Sequence, residues 1–246
     1  MRINKYLAGK GFGSRRMVDG LIDAGRVLLN GEKAELGSRL KNGDIVEVSK
    51  QRFEFTEEVA AKIIIAFNKP AGVVCTNEEK EKNNLVNYIK NNPQNFRGTK
   101  ERYQEILKAR LFSIGRLDKD SRGLLLLTND GDLSQRLSHP KYEKEKEYIV
   151  TCEKEIDDQF IYLFSSGVEI SINDEEKQVK TKKCKATMLS ENQFSCVLKQ
   201  GYKRQIRLMV RALNNRVLDL QRIRISNLSL ENLEEGNFKE IDEQVV

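Results

Sequence analysis

Residues 111–128 read LFSIGRLDKDSRGLLLLT, and their layout decides how the rest of the chain is organised. Two short apolar runs, Leu111-Phe112-Ser113-Ile114 and Gly123-Leu124-Leu125-Leu126-Leu127-Thr128, flank the charged segment Gly115-Arg116-Leu117-Asp118-Lys119-Asp120-Ser121. Short apolar runs bounded by turn residues are the pattern of buried strands, so the charged segment becomes a loop gripped at both ends by sheet. A carboxylate in such a loop is presented with defined geometry, which is how a catalytic acid is mounted. On charge alone the loop also reads as a polar turn whose side chains pair with one another.

Upstream, Ile63-Ile64-Ile65-Ala66-Phe67 repeats the buried-strand pattern and runs through Asn68-Lys69-Pro70-Ala71-Gly72 into Val73-Val74-Cys75-Thr76. Pro70 and Gly72 punctuate that segment as a turn between strands. Downstream, Glu145–Thr151 alternates polar and apolar residues as a half-buried strand. In Gly201–Arg211, Ile206, Met209 and Val210 share one helix face with the following Leu213, and Arg204, Arg207 and Arg211 form a neighbouring stripe. Such a stripe by itself is also the ordinary pattern of a solvated helix face. The Asn- and Lys-rich stretch 78–102 reads as a polar surface insertion. These periodicities predict mixed α and β structure.

The front of the chain has its own pattern. Ile3, Tyr6 and Leu7 lie at helical spacing, Gly11 and Gly13 interrupt, and Ser14 caps a second helix that carries Met17, Val18, Leu21 and Ile22. Gly25 ends that helix, Val27-Leu28-Leu29 reads as a strand, Asn30-Gly31 as a tight turn, and Ile45-Val46-Glu47-Val48 as a further strand after Asn42-Gly43. Residues 1–48 carry nine Lys and Arg against six Asp and Glu, half of the net charge of +6 in a fifth of the chain. INKYLA, GSRRMVDGLIDAGRVLLNGE and LKNGDIVEV in this order resemble the alpha-L RNA-binding domain, the fold of a small-subunit ribosomal protein. That resemblance implies phosphate contacts from Arg2, Lys5, Arg15 and Arg16. The two arginines open the second helix, where free N–H groups and the helix dipole favour anions. Residues 49–61, dense in charge and without a clear period, are expected to be a linker.

Composition bounds the rest. At 246 residues the chain is long enough to bury a core without metals or disulfides, as one large domain or two. Its excess of 43 Lys and Arg over 37 Asp and Glu suits a polyanionic partner without demanding one. Cys75, Cys152, Cys184 and Cys196 form no CxxC pair, which points to free thiols in a reducing compartment. His139 is the one histidine, which excludes multi-histidine metal sites and makes any Ser-His-Asp device depend on it. No apolar run is long enough to span a bilayer, and the expected location is the cytosol.

GRLDKDSRGLLLLTNDGDL, at Gly115–Leu133, resembles the signature motif of RsuA/RluF-type pseudouridine synthases, and NKPAG, KEYIV and RQIR resemble that family's companion segments. The resemblance implies an α+β domain over 62–242, a mixed and mostly antiparallel sheet flanked by helices. It implies that Asp118 is the catalytic aspartate, Tyr148 the active-site tyrosine, and Arg207 the basic residue that pairs with the aspartate and keeps it ionised. Arg116 and Lys119 are expected to hold adjacent phosphates or fill the space a flipped base leaves, Lys203 and Arg204 to contact RNA, and Lys69 to make a minor RNA contact. No cofactor or metal is expected, and the protein is expected to be a monomer. Three departures stand near the helix: Leu208 where arginine is usual, Val210 where cysteine is frequent, and Asn214-Asn215 in place of a glycine-bearing turn.

The implied reaction is conversion of a specific uridine of ribosomal RNA to pseudouridine. Val179–Lys185 and the KDSRG form of the loop are most similar to RluF-type enzymes acting on large-subunit RNA, whereas Leu137-Ser138-His139-Pro140 resembles the RsuA and RluB branches. A small-subunit target therefore stays as the alternative. A non-catalytic RNA-binding assembly factor is the chief rival, and the presence of Asp118, Tyr148 and Arg207 weighs against it.

Overall fold

Gly11 and Gly13, at φ of 96° and 105°, turn the chain between helix α1 (Ile3–Gly9) and helix α2 (Arg15–Asp23), whose first turn is capped by Ser14 Oγ accepting from Met17 N. The computed structural model describes residues 1–56, 61–76, 81–139, 142–172 and 178–245, and separates into two units, Met1–Ala61 and Lys62–Val246. In the first unit, Ile3, Leu7, Val18 and Ile22 of the two helices pack on Val27, Val46 and Val48 of a small sheet. That sheet runs β2-β1-β3-β4, from β1 (Val27–Leu29), β2 (Glu32–Lys33), β3 (Ile45–Val48) and β4 (Gln51–Glu54). Asn30 and Gly31 both take positive φ, 54° and 87°, as a two-residue hairpin turn between twisted strands requires.

The expected linker begins instead as sheet. Ser49 and Lys50 turn the chain at positive φ, β4 pairs antiparallel with β3, and Phe55 is 2% exposed with its ring edge-on to Tyr6 at 5.1 Å. Phe53 and Phe55 alternate with charged neighbours because this edge strand packs on one face and is solvated on the other. Residues 57–60 of that segment, Glu78–Lys80 and Pro140 lie outside the described residues.

The second unit is built from β5 (Ile64–Lys69), α3 (Leu85–Asn91), α4 (Lys100–Lys108), β6 (Phe112–Ile114), β7 (Arg122–Thr128), α5 (Gly131–Ser138), β8 (Lys146–Cys152) and α6 (Asp158–Ser165). It continues through β9 (Glu169–Ser171), β10 (Gln178–Lys180), β11 (Lys185–Ser190), β12 (Gln193–Leu198), α7 (Gln205–Ala212), β13 (Val217–Ile225), β14 (Leu228–Ser229) and β15 (Phe238–Glu240). A nine-stranded sheet runs β11-β12-β8-β13-β7-β5-β15, with β14 on β13 and β6 on β7. Among the described residues β13 and β7 are its one parallel pair, so the sheet is mixed and mostly antiparallel, as expected.

The unbroken apolar runs of β5 and β7 follow from burial on both faces. Ile65, Phe67, Leu125 and Leu127 enter one core, and Ile64, Ala66, Leu124 and Leu126 enter another. A strand covered on both sides shows no alternation.

The stretch 78–102 is more than a surface insertion. Its described part holds α3, a short 3-10 turn at Pro93–Asn95 and the start of α4, and it places Leu85, Ile89, Phe96 and, just beyond it, Tyr103 in the first of those cores. Few apolar residues, spaced four or more apart among Asn and Lys, are enough to bury one face of short helices. Val73–Thr76, expected as strand, makes a single bridge from Val74 to Asn84.

Candidate active site

The loop between β6 and β7 is held along its length. Gly115 takes φ of 71°, Leu117 is buried with its N–H directed at Cys75 Sγ at 3.4 Å, and Ser121 N donates to the Asp118 carbonyl at 3.1 Å. Gly72 N donates to the Lys119 carbonyl at 2.7 Å, which ties the Asn68–Gly72 turn to the loop. At the loop's end Gly123 takes φ of 106°, and a Cβ there would lie 2.2 Å from the Arg222 carbonyl on β13. Only glycine allows that approach. Asp118 is left half-exposed on this framework, and Arg116 and Lys119 are exposed on either side of it.

Lys69 is fully buried, which does not place it for the minor RNA contact expected of it. Its Nζ donates to the carbonyls of Pro70 at 2.9 Å and Val73 at 2.8 Å, bracing the turn that supports the loop. Burial pulls its ammonium down to about 8, against the opposing charges of Cys75, Asp120 and Asp118.

Helix α7 brings Arg207 to the loop, two residues beyond the expected partner. Arg207 Nη2 donates to the Asp120 carbonyl at 3.0 Å and to Ser121 Oγ at 3.3 Å, Nη1 donates to the Val217 carbonyl at 3.2 Å, and Nε lies 3.4 Å from Asp120 Oδ2. The ion-pair partner is thus Asp120, with Asp118 acting on Arg207 through its charge. Burial disfavours the Arg207 charge, and Asp120 is the first of the carboxylates that restore it. Arg204, at φ of 56° just before the helix, is not left free for RNA either: its Nη1 and Nη2 donate to Asp120 Oδ1 and Oδ2 at 3.3 and 3.0 Å. Burial raises the Asp120 carboxyl, but Arg204 and Arg207 outweigh it and hold the group below its ordinary value. Lys203 is exposed beside them.

The Asn214-Asn215 departure at the end of this helix has a local explanation. Asn214 adopts φ of 59° and ends the helix in the left-handed region, a conformation that asparagine tolerates in place of glycine. Asn215 is buried and exchanges hydrogen bonds with the Lys154 backbone, its Oδ1 accepting from Lys154 N and its Nδ2 donating to Lys154 O.

Tyr148 lies on β8, directly opposite Arg222 on β13 and Cys196 on β12, and packs against two of the cores of this unit. Arg222 is the residue that sequence reasoning missed. The alternation of Val217–Ile225 puts it at an inward position where an arginine is rare, and it is 2% exposed. A cavity of about 610 Å³ between α6 and the end of α7 is lined by none of the expected site residues.

In the first unit, Arg2 precedes α1, Lys5 lies on it half-buried, and Arg15 and Arg16 are exposed on the first turn of α2. Arg15 Nη2 donates to Asn4 Oδ1 at 3.4 Å, and Asn4 Nδ2 donates to Asp19 Oδ1 at 2.8 Å.

Residues 63–212 match the family model for RNA pseudouridylate synthase, and residues 1–46 match the S4 domain. The chain belongs to the RNA pseudouridylate synthase family. It is 38% identical over 247 residues to the dual-specificity RNA pseudouridine synthase RluF of Escherichia coli (strain K12), covering 100% of this chain and 77% of that protein. It is 31% identical over 250 residues to the ribosomal large subunit pseudouridine synthase B of Buchnera aphidicola subsp. Schizaphis graminum, covering 96% and 88%. A crystal structure of a pseudouridylate synthase superposes with a TM-score of 0.63 at 27% identity, covering 99% of this chain and 97% of that one. An RNA pseudouridylate synthase is an isomerase that rearranges a nucleoside within RNA.

Proposed function

We propose that this pseudouridine synthase isomerises a specific uridine of ribosomal RNA, in the large subunit, with Asp118 as its catalytic residue. The observation that carries the assignment to Asp118 is the loop itself: a half-exposed carboxylate on backbone tied to Cys75 through Leu117 N, to the Lys69-braced turn through Gly72 N, and to helix α7 through Arg207. The rearrangement breaks the bond from uracil N1 to the ribose, turns the ring, and joins uracil C5 to the same ribose carbon. The C5 proton leaves and N1 gains one, so atoms balance without redox chemistry. Asp118 serves as nucleophile at the ribose or the uracil ring, or as base at the ribose. Tyr148 supplies an aromatic face for the flipped uracil and a phenol that exchanges its proton. A stacked base is out of reach, so the nucleotide leaves the helix first, and Arg116 and Lys119 stand beside the point where it would enter.

Arg2, Lys5, Arg15 and Arg16 of the front unit contribute phosphate contacts, which supply affinity and salt dependence without selecting the base. Residues 1–61 thus act as the docking unit and the remainder as the catalytic one. Work in the cytoplasm follows from a ribosomal substrate.

The test is a site-resolved pseudouridine map of unmodified transcripts from both ribosomal subunits, incubated with wild-type protein and with Asp118→Asn. A modification in large-subunit RNA made by wild type alone supports the proposal. A small-subunit site transfers it to that subunit, and an active Asp118→Asn protein overturns the catalytic assignment.

A further inference from the structure

We propose that Arg222 is a positioning residue that clamps the two ends of the aspartate loop and fixes it relative to Tyr148. The inference rests on the reading of Asp118 as the catalytic carboxylate. Arginine is rarely buried without a counter-ion, because an ionised group loses its hydration on burial. Yet among the described residues no carboxylate pairs with Arg222, and its side chain is one of the largest fully buried in the molecule. Its acceptors are backbone carbonyls on opposite sides of Asp118: Nε donates to Leu124 O on β7 at 2.7 Å, and Nη1 to Arg116 O at 3.4 Å. Nη2 is buried with no hydrogen-bond partner among the described residues.

Packing alone does not explain this choice. An apolar side chain would fill the position without the uncompensated charge, which also depresses the ammonium of half-buried Lys146, after burial itself. A guanidinium does what no apolar group can, since its planar fork holds two carbonyls at once. Arg222 is paired with Gly123 on β7 and with Tyr148 on β8, so one residue connects the foot of the loop to the strand that presents the tyrosine. Residues directly opposite one another on neighbouring strands stand on the same face, their Cβ atoms about 5 Å apart.

The experiment compares wild type, Asp118→Asn, Arg222→Lys and Arg222→Gln in single-turnover pseudouridine formation, with RNA affinity and its salt dependence measured on the same preparations. Lys keeps the charge, and neither Lys nor Gln reproduces the fork. Arg222→Lys is expected to stay folded by circular dichroism, bind RNA with unchanged affinity and salt slope, and lose about a hundredfold in single-turnover rate, the scale of a catalytic group displaced by an ångström. A rate within about twofold of wild type in folded Arg222→Lys would overturn the proposal, as would a loss that merely tracks the unfolded fraction. If Arg222→Lys does not fold, Arg222→Gln is judged by the same criterion. If neither folds, Arg222 belongs to the fold and not to positioning. Should Asp118→Asn remain active, the catalytic assignment fails instead, and the two failures are told apart in one assay.

Discussion

Arg207 and Asp120 meet at two points: Nη2 donates to the Asp120 carbonyl at 3.0 Å, and Nε lies 3.4 Å from Asp120 Oδ2, while Arg204 donates to both oxygens of the same carboxylate. Asp120 is thereby the joint between the aspartate loop and helix α7. Two arginines converge on one acid, so each is oriented by the other's partner. Arg207, whose side chain is only 10% exposed, gains the charge compensation that its burial requires.

Asp120→Asn keeps the shape of this joint and removes its charge. Arg207 then holds the loop through the backbone carbonyl without an ion pair, and Arg204 is released from a bidentate carboxylate. The expected result is a fall in single-turnover rate of about tenfold to a hundredfold. RNA affinity should be unchanged or tighter, because Arg204 becomes available to a phosphate. Filter-binding titrations beside rate measurements check the split. Weakened binding would show that the carboxylate does not compete with RNA for Arg204.

Gly123→Ala tests the close approach of β7 to β13. The residue sits at φ of 106°, and the added Cβ would lie 2.2 Å from the Arg222 carbonyl, a backbone atom that cannot swing aside. Strain and forced separation of the strands together should cost about 2–5 kcal/mol. Urea unfolding at neutral pH measures it. A loss under about 1 kcal/mol would mean that the parallel pairing at this point is looser than its geometry indicates.

Lys69 makes a prediction about pH. Its folded value of about 8 lies below the ordinary 10.5, so between these values the unfolded chain binds more protons than the folded one. Stability from this group therefore rises as pH climbs through that window, by at most about 3 kcal/mol at 1.36 kcal/mol per unit. Lys69→Met removes the term. The difference in unfolding free energy between wild type and variant should grow from pH 8 to pH 10, and a constant difference would show that the ammonium titrates at its ordinary value.

Much of this was legible in the chain. Ser14 as a cap, the Asn30-Gly31 turn and the two apolar runs around the loop are local chemistry, and local chemistry is what spacing records. The strand Gln51–Glu54 and helix α3 escaped because each buries only a few apolar residues set among charged or amide side chains. The partner of Arg207 escaped for another reason: Asp118 and Asp120 are two residues apart, and only tertiary packing decides which one the helix meets. Arg222 was invisible because its role lies in acceptors 98 and 106 positions away, both of them backbone atoms that carry no side-chain signature.

The front unit yields the last prediction. Arg15 and Arg16 are exposed on the first turn of α2, where the positive end of the helix dipole adds to their charge. Arg15→Ala with Arg16→Ala should weaken RNA binding and shallow the logarithmic dependence of affinity on salt by about 0.7–0.9 for each phosphate that is no longer neutralised. Because the two units have separate cores, the rate at saturating RNA should not change. Binding measured across a range of about 50 to 200 mM salt reads the slope directly. An unchanged slope would remove both arginines from the docking surface and shift the assignment to Arg2 and Lys5 at the neighbouring helix, whereas a slope change accompanied by a lower saturated rate would mean that docking also sets how the target nucleotide is presented.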